Sequence, residues 1–197
     1  MSIFVKICGL KEERHVNAAI DAGADALGFV FAKSRRKITP ADASSISMNV
    51  PAHILRVAVM LHPTNEEWQK VLSGFSPDVL QADAQYFASL DVPHSVEKWP
   101  VFREDGEDPA TDDTYIFEGK KSGHGETVDW SRAATIAKNG RMILAGGLFA
   151  GNVAEAIATV HPLGVDVSSG VESAPGQKDI QLIKKFVSAA KAAEKSL

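Results

Sequence analysis

The sequence predicts an α/β protein: a compact (β/α)8 TIM barrel in which the fifth helix is missing and replaced by a loop. Three observations predict it. Eight short apolar runs alternate with amphipathic segments, which implies parallel strands joined by helical crossovers. The 197 residues lie near the lower size limit of closed barrels of this kind. No Gly-rich dinucleotide fingerprint follows the first run, as the competing open doubly wound sheet would favour.

The elements follow in order. An apolar strand at Phe4–Cys8 leads to a helix over Glu12–Ala22, with Gly23 placed for a left-handed C-terminal stop. A strand at Ala26–Phe31 precedes Thr39-Pro40, an N-cap with proline at the first helical position, opening Pro40–Ser47. Strand Leu55–Met60 is followed by Thr64 and Glu67, a capping box that starts Asn65–Ser73. Strand Asp78–Gln81, a short helix near Gln85–Leu90 and strand Ser95–Trp99 complete the first five strands. Arg103–Asp113 should hold the fifth helix, but it is acidic, lacks an apolar stripe and contains Pro109, so it is predicted as a loop. Strand Tyr115–Glu118 then leads to Asp129-Trp130, the start of a helix over Ser131–Lys138. Strand Met142–Ala145 precedes helix Asn152–Thr159, where Asn152 and Glu155 form a looser capping pair. Strand Gly164–Val167 and helix Asp179–Lys191, with Ile180, Ile183, Lys184 and Val187 along one side, end the series.

Composition narrows the function. With 45% hydrophobic and 23% charged residues, one domain spanning residues 1–197 is expected. A net charge of −4 offers no nucleic-acid surface, and no apolar run is long enough to span a membrane. The six His are scattered and no Cys/His spacing suits a metal. A single Cys cannot form an internal disulfide, and the start has no basic region followed by an apolar one, so a cytoplasmic location is expected. No outer helix carries an extended apolar stripe, so a monomer is expected.

Chemistry concentrates at strand ends, where barrels gather catalytic groups. Cys8 closes the first strand, and a thiol there can act as base or nucleophile if its pKa is lowered, although a lone Cys more often just packs. Side-chain alternation puts Lys6 and Cys8 on one side of the first strand, Ile116 and Glu118 on one side of the sixth, and Asp166 inward on the eighth. Cys8, Glu118 and Asp166 can therefore all project into one mouth. Ala145-Gly146-Gly147-Leu148 and Val167-Ser168-Ser169-Gly170 fall after the seventh and eighth strands, where barrels hold phosphate. Gly146, Gly147 and Gly170 let backbone N–H groups approach the oxygens, and Ser168 and Ser169 add hydroxyls. Either segment alone reads as turn punctuation; together, at those two strand ends, they read as a phosphate cradle.

These residues carry a resemblance. Val5-Lys6-Ile7-Cys8-Gly9, Ala22–Phe31, Lys33-Ser34-Arg35-Arg36, Gly125–Trp130, Ala145–Leu148 and Val165–Glu172 run in order along nearly the whole chain. With them the sequence resembles the phosphoribosylanthranilate isomerases of tryptophan biosynthesis. The resemblance implies a (β/α)8 barrel, no cofactor and a single phosphorylated small-molecule substrate that undergoes an Amadori rearrangement. It implies that Cys8 is the general base and Glu118 the general acid. Arg36 would contact the substrate carboxylate, Asp166 would sit beside the substrate amine and orient it, and Gln81 would bind substrate. Lys6 is either a source of positive potential for the thiol or a buried lysine paired with barrel carboxylates. The loop Lys120–Glu126 would close over the site.

The chain departs from the family pattern in strand six, after strand four, and in a shorter region around strand five. Glu118 stands where the family usually has Asp, and Gln81-Ala82-Asp83-Ala84 replaces the usual Gln-Leu-His-Gly after strand four. A histidine-pathway or bifunctional sugar-phosphate isomerase is the nearest alternative; those carry an aspartate at the first-strand position, against which Cys8 argues. A non-catalytic barrel that binds a phosphorylated metabolite is the alternative from another class, kept open by the altered strand-four segment.

Overall fold

A computed structural model describes residues 3–110, 112–120 and 127–193. Its strands are β1 (Phe4–Cys8), β2 (Ala26–Val30), β3 (Leu55–Val59), β4 (Val79–Asp83), β5 (Glu97–Arg103), β6 (Thr114–Glu118), β7 (Arg141–Leu144) and β8 (Gly164–Val167). They run parallel and close in chain order, with β8 pairing back to β1. The helices are α1 (Glu13–Ala22), α2 (Pro40–Ile46), α3 (Asn65–Phe75), α4 (Trp130–Ile136), α5 (Val153–Val160) and α6 (Ile180–Ala193). A short antiparallel ribbon, β9 (Glu172–Ala174) and β10 (Gln177–Lys178), follows β8.

Alternation along each strand builds two cores. Val57, Val79, Trp99, Val101, Ile116 and Ile143 fill the barrel, with Phe4 set edge-on to Trp99 at 5.8 Å between ring centroids. The opposite strand faces, Val5, Ile7, Tyr115, Phe117, Val165 and Val167 among them, pack under the helices. Phe75 of α3 lies on Phe29 and Phe31 at 5.1 and 5.4 Å, the kind of contact whose truncation to alanine costs about 3–5 kcal/mol.

Local signals set the helix ends. The Thr64–Glu67 capping box has both of its reciprocal bonds, and Gly23 (φ 91°) ends α1 in the left-handed region. The Asp129 side chain accepts the N–H groups of Ser131 and Arg132 and so starts α4. Asn152 departs from the expected cap: its Oδ1 accepts Phe149 N–H and its Nδ2 donates to the Gly147 carbonyl, bracing the turn after β7.

Other differences have physical reasons. In α6 the buried side is Ile183, Phe186, Val187 and Ala190, while Lys184 is exposed, because the helix seats its larger apolar groups against α1, α5 and the barrel. The segment after β4 is a single 3-10 stretch, Ala84–Ser89, rather than an α-helix. β5 runs to Arg103, four residues past the expected end at Trp99, because Phe102 and Arg103 pair with Phe117 and Glu118 of β6.

Among the described residues no helix follows β5. Gly106 N–H closes a turn on the Arg103 carbonyl, and the segment then reaches across to α4. There Glu104 accepts Asp129 N–H at 2.7 Å, and Arg132 donates to the Glu104 carbonyl and to Asp108. Of the loop expected to close over the site, residues 121–126 lie outside the described residues.

Candidate active site

The C-terminal ends of the strands form one rim. At its first position β1 turns Lys6 and Cys8 inward, both buried. Lys6 Nζ donates to Asp166 Oδ1 at 2.9 Å, and the two residues are direct Cα partners across the β1–β8 pairing. Both alternatives for Lys6 are thus realised in one contact: it pairs with a barrel carboxylate and its charge also acts on the thiol. Gly28, the partner of Cys8 on β2, supplies the room. A Cβ there would stand 3.0 Å from Cys8 Sγ and 3.2 Å from Lys6 Nζ.

A lowered thiol pKa is the condition for Cys8 to act as base, and the surroundings of the free thiol act the other way. Burial pushes Cys8 upward; Lys6 and Lys178 pull it back, Asp166 adds to the rise, and the net shift is upward. Burial pulls Lys6 down, but Asp166 and Cys8 outweigh it and raise its pKa. In the free protein the Cys8 thiol therefore lies above its ordinary value of 9.0 with the charge of Lys6 acting on it, while burial lowers Lys178.

Arg36 lies over Gly9, the residue after the thiol; a Cβ at Gly9 would meet Arg36 Cδ at 2.6 Å. Its guanidinium makes a fork onto Glu172, Nε to Oε1 at 2.6 Å and Nη2 to Oε2 at 2.9 Å. Lys178 of β10 donates to the same Oε1 and to the Ser168 carbonyl and hydroxyl. Burial raises Glu172, but hydrogen bonds from Arg36, Lys178 and Gly176 N–H dominate and hold it down to about 2. Sequence reasoning assigned no role to Glu172 or Lys178. The polar run after the Ser-Ser-Gly turn was the available signal, since Gly176 (φ 84°) is placed to fold Lys178 back.

The two proposed phosphate segments touch. Gly170 packs so closely on the loop after β7 that a Cβ would fall 1.9 Å from the Leu148 carbonyl oxygen. Gly146 (φ 93°) and Gly147 (φ 62°) adopt left-handed backbone that glycine tolerates best. The Ser168 hydroxyl donates to the Cys8 carbonyl at 3.2 Å, tying the β8 turn to the thiol's own backbone. Ser169 begins the 3-10 turn Ser169–Val171 and is half-buried.

On the other side of the rim, Gln81 points into the barrel, buried, with its Oε1 lacking a hydrogen-bond partner among the described residues. Two residues on, Asp83 accepts from His62 Nε2 at 2.8 Å and from Arg103 Nη2 at 2.7 Å. Arg103 Nη2 also stands 3.1 Å from Glu118 Oε1. Glu118 is therefore in an ion pair with Arg103. Around the barrel, β7 and β8 separate it from Cys8.

This arrangement can bind an anion at the glycine turns, hold a second charged group near Arg36, and exchange protons at a thiol and a carboxylate. The family model for N-(5'phosphoribosyl)anthranilate (PRA) isomerase matches residues 5–189. A relative from Listeria monocytogenes, named N-(5'-phosphoribosyl)anthranilate isomerase, is 39% identical over 206 residues, covering 98% of this chain and all of the relative. The crystal structure of phosphoribosyl anthranilate isomerase from Thermus thermophilus superimposes with a TM-score of 0.84 at 27% identity, covering 96% of this chain and 99% of that one. A further phosphoribosyl anthranilate isomerase, solved in complex with reduced 1-(o-carboxyphenylamino)-1-deoxyribulose 5-phosphate, superimposes with a TM-score of 0.78 at 29% identity over the same shares.

Proposed function

The chain belongs to the N-(5'-phosphoribosyl)anthranilate isomerase family, and from that premise we propose how its own residues carry the reaction. The reaction converts N-(5'-phosphoribosyl)anthranilate to 1-(2-carboxyphenylamino)-1-deoxyribulose 5-phosphate, a step in tryptophan biosynthesis. It is redox-neutral overall and needs only proton transfers. The observation that carries the assignment of roles is the buried thiol of Cys8 set against the Lys6–Asp166 pair, beside two glycine turns that meet.

The 5'-phosphate sits on the N–H groups of the Gly146-Gly147 and Ser168-Ser169-Gly170 turns. Arg36 meets the anthranilate carboxylate from beside the thiol. Glu118, having first taken a proton from solvent, gives it to the furanose ring oxygen, the ring opens, and a cationic Schiff base forms at C1'. Cys8, acting as its thiolate after its own proton has left to solvent, then takes the C2' proton; the electrons left behind neutralise the Schiff base to give the enol amine, which becomes the ketone as C1' gains a proton and the C2' hydroxyl loses one. The substrate's own positive charge appears next to the sulfur at the moment the thiol must ionise. That, with Lys6, offsets the rise caused by burial. Asp166 holds Lys6 and orients the substrate amine, and the unpartnered Gln81 Oε1 accepts from a substrate hydroxyl or amine.

The described residues expose large hydrophobic side chains at Met48 and Phe149, far apart in the chain, which supports a monomer. No helix among them is long and apolar enough to cross a membrane, and we read the protein as cytoplasmic. The test is the loss of substrate fluorescence when protein is added to freshly generated phosphoribosylanthranilate. Cys8→Ala and Glu118→Gln are expected to lose turnover and still bind the product. Wild-type-like turnover in Cys8→Ala rejects the thiol as base.

A further inference from the structure

No proton transfer in the reaction needs Glu172, yet its buried carboxylate accepts from Arg36, Lys178 and Gly176 N–H. Arg36 supplies the fork, Nε to Oε1 at 2.6 Å and Nη2 to Oε2 at 2.9 Å. We propose that Glu172 is the positioning residue of Arg36: it grips one edge of the guanidinium and presents the other to the carboxylate of the substrate's aryl group, and so sets the preference for a carboxylated aryl amine. The inference rests on the reading of Arg36 as the carboxylate contact.

The donor inventory allows both partners at once. A guanidinium has five N–H donors in one plane. The fork onto Glu172 takes Nε–H and one Nη2–H, and Nη1 makes no hydrogen bond among the described residues. Nη1 and the second Nη2–H form an open edge of the same plane, which fits a second carboxylate in a bidentate pair. Charge allows it too. Arg36 and Lys178 share the one Glu172 carboxylate, Lys178 Nζ reaching Oε1 at 2.9 Å, so the fork does not cancel the guanidinium's pull on a further anion.

The rest of the arm is fixed along its length. Arg36 Cδ lies so close over Gly9 that a Cβ there would stand 2.6 Å away. Arg36 N–H donates to Ser34 Oγ at 3.1 Å, and the Arg35 carbonyl accepts from Lys11 Nζ at 3.1 Å. The turn of the β9–β10 ribbon closes the assembly. Gly176 N–H donates to Glu172 Oε2 at 3.0 Å, and a Cβ on Gly176 would stand 3.2 Å from the Arg35 carbonyl oxygen. An arginine free to move gives up rotamer freedom when it takes hold of a ligand, and that loss weakens binding. The fork has already removed this freedom, so the open edge meets the carboxylate pre-organised. A glutamine at 172 offers one oxygen and sets its amide N–H groups against Arg36 or Lys178, which breaks the fork.

The experiment is isothermal titration calorimetry of the wild type, Arg36→Met and Glu172→Gln with two ligands. One is 1-(2-carboxyphenylamino)-1-deoxyribulose 5-phosphate, the other its carboxylate-free analogue, 1-phenylamino-1-deoxyribulose 5-phosphate. The wild type is expected to bind the carboxylated ligand about 30-fold tighter or more, and Arg36→Met to lose that preference. Glu172→Gln is expected to weaken the carboxylated ligand by about tenfold and the analogue by less than about threefold. A merely structural role weakens both alike. Equal weakening of the two ligands, or no weakening of the carboxylated one, overturns the inference, and the loss of preference in Arg36→Met then leaves the Arg36 reading standing. No preference in the wild type, or an intact preference in Arg36→Met, removes that reading and the inference with it. Should Glu172→Gln fail to fold, Glu172→Asp keeps the charge but is one methylene short of the fork. The same selective loss, about threefold or more, is expected there, and an equal loss or none overturns the inference.

Discussion

Replacing Glu172 by Gln keeps the shape of the side chain and removes its charge. In the wild type its carboxylate accepts from Arg36 Nε and Nη2, from Lys178 Nζ and from Gly176 N–H, and only 4% of the side chain is exposed. Burial works against the ionised form, but these donors hold the group at about 2, from an ordinary value of 4.5. At about 1.4 kcal/mol per unit, that gap corresponds to roughly 3 kcal/mol of stability. The sign follows from the lowered value. The stabilisation is fully present above pH 4.5 and is lost as pH falls through about 2, with roughly half remaining at pH 3. Glutamine accepts through one oxygen and leaves Arg36 and Lys178 facing each other without their shared anion. The expected cost at neutral pH is about 3–5 kcal/mol, since removing one partner strands buried charge. For a chain of this size that is a Tm lower by about 6–20 °C. Urea unfolding of both proteins at pH 7 and pH 3 reads it, and the difference between them should shrink on going to the lower pH. Equal stability at pH 7, or a difference that does not change between the two pH values, refutes the reasoning.

Two further outcomes are expected. Gly170→Ala puts a Cβ 1.9 Å from the Leu148 carbonyl oxygen and must push the turns after β7 and β8 apart; KM should rise by about tenfold or more while kcat changes less, and an unchanged KM removes these turns from the phosphate site. The Cys8 thiol lies above its ordinary value of 9.0 because of burial, so alkylation by iodoacetamide should be slow at pH 7 and still climbing at pH 9. A plateau below pH 8 contradicts that, and Lys6→Met should slow the reaction further.

Much of the barrel is legible in the sequence because strand signals here are local. Each apolar run of about five residues needs only its own alternation to show which side faces the helices, and Lys6, Cys8 and Asp166 were sorted inward on that basis. The Thr64–Glu67 box and the Gly23 stop depend on residues three or four apart. The Arg36–Glu172 fork is another matter. Its partners are separated by 136 positions and meet only once the barrel has closed. Arg103 reads as the start of an acidic loop, since its membership of β5 depends on pairing with Phe117 and Glu118 rather than on its own neighbours. Lys184 reads as part of an apolar stripe because helical spacing gives direction without depth. The direction of the Cys8 shift is not legible for the same reason: the cations near the thiol are visible as charges, but the burial that outweighs them is not.

The β1–β8 seam joins segments that leave the ribosome at opposite ends of synthesis. Lys6 and Asp166 are 160 positions apart, and the ammonium does not meet this carboxylate until the last strand of the barrel is made. The same contact that zips the cylinder shut places both charges against the sulfur. A truncated chain lacking β8 therefore lacks both the partner that closes the barrel on β1 and the carboxylate that Lys6 meets.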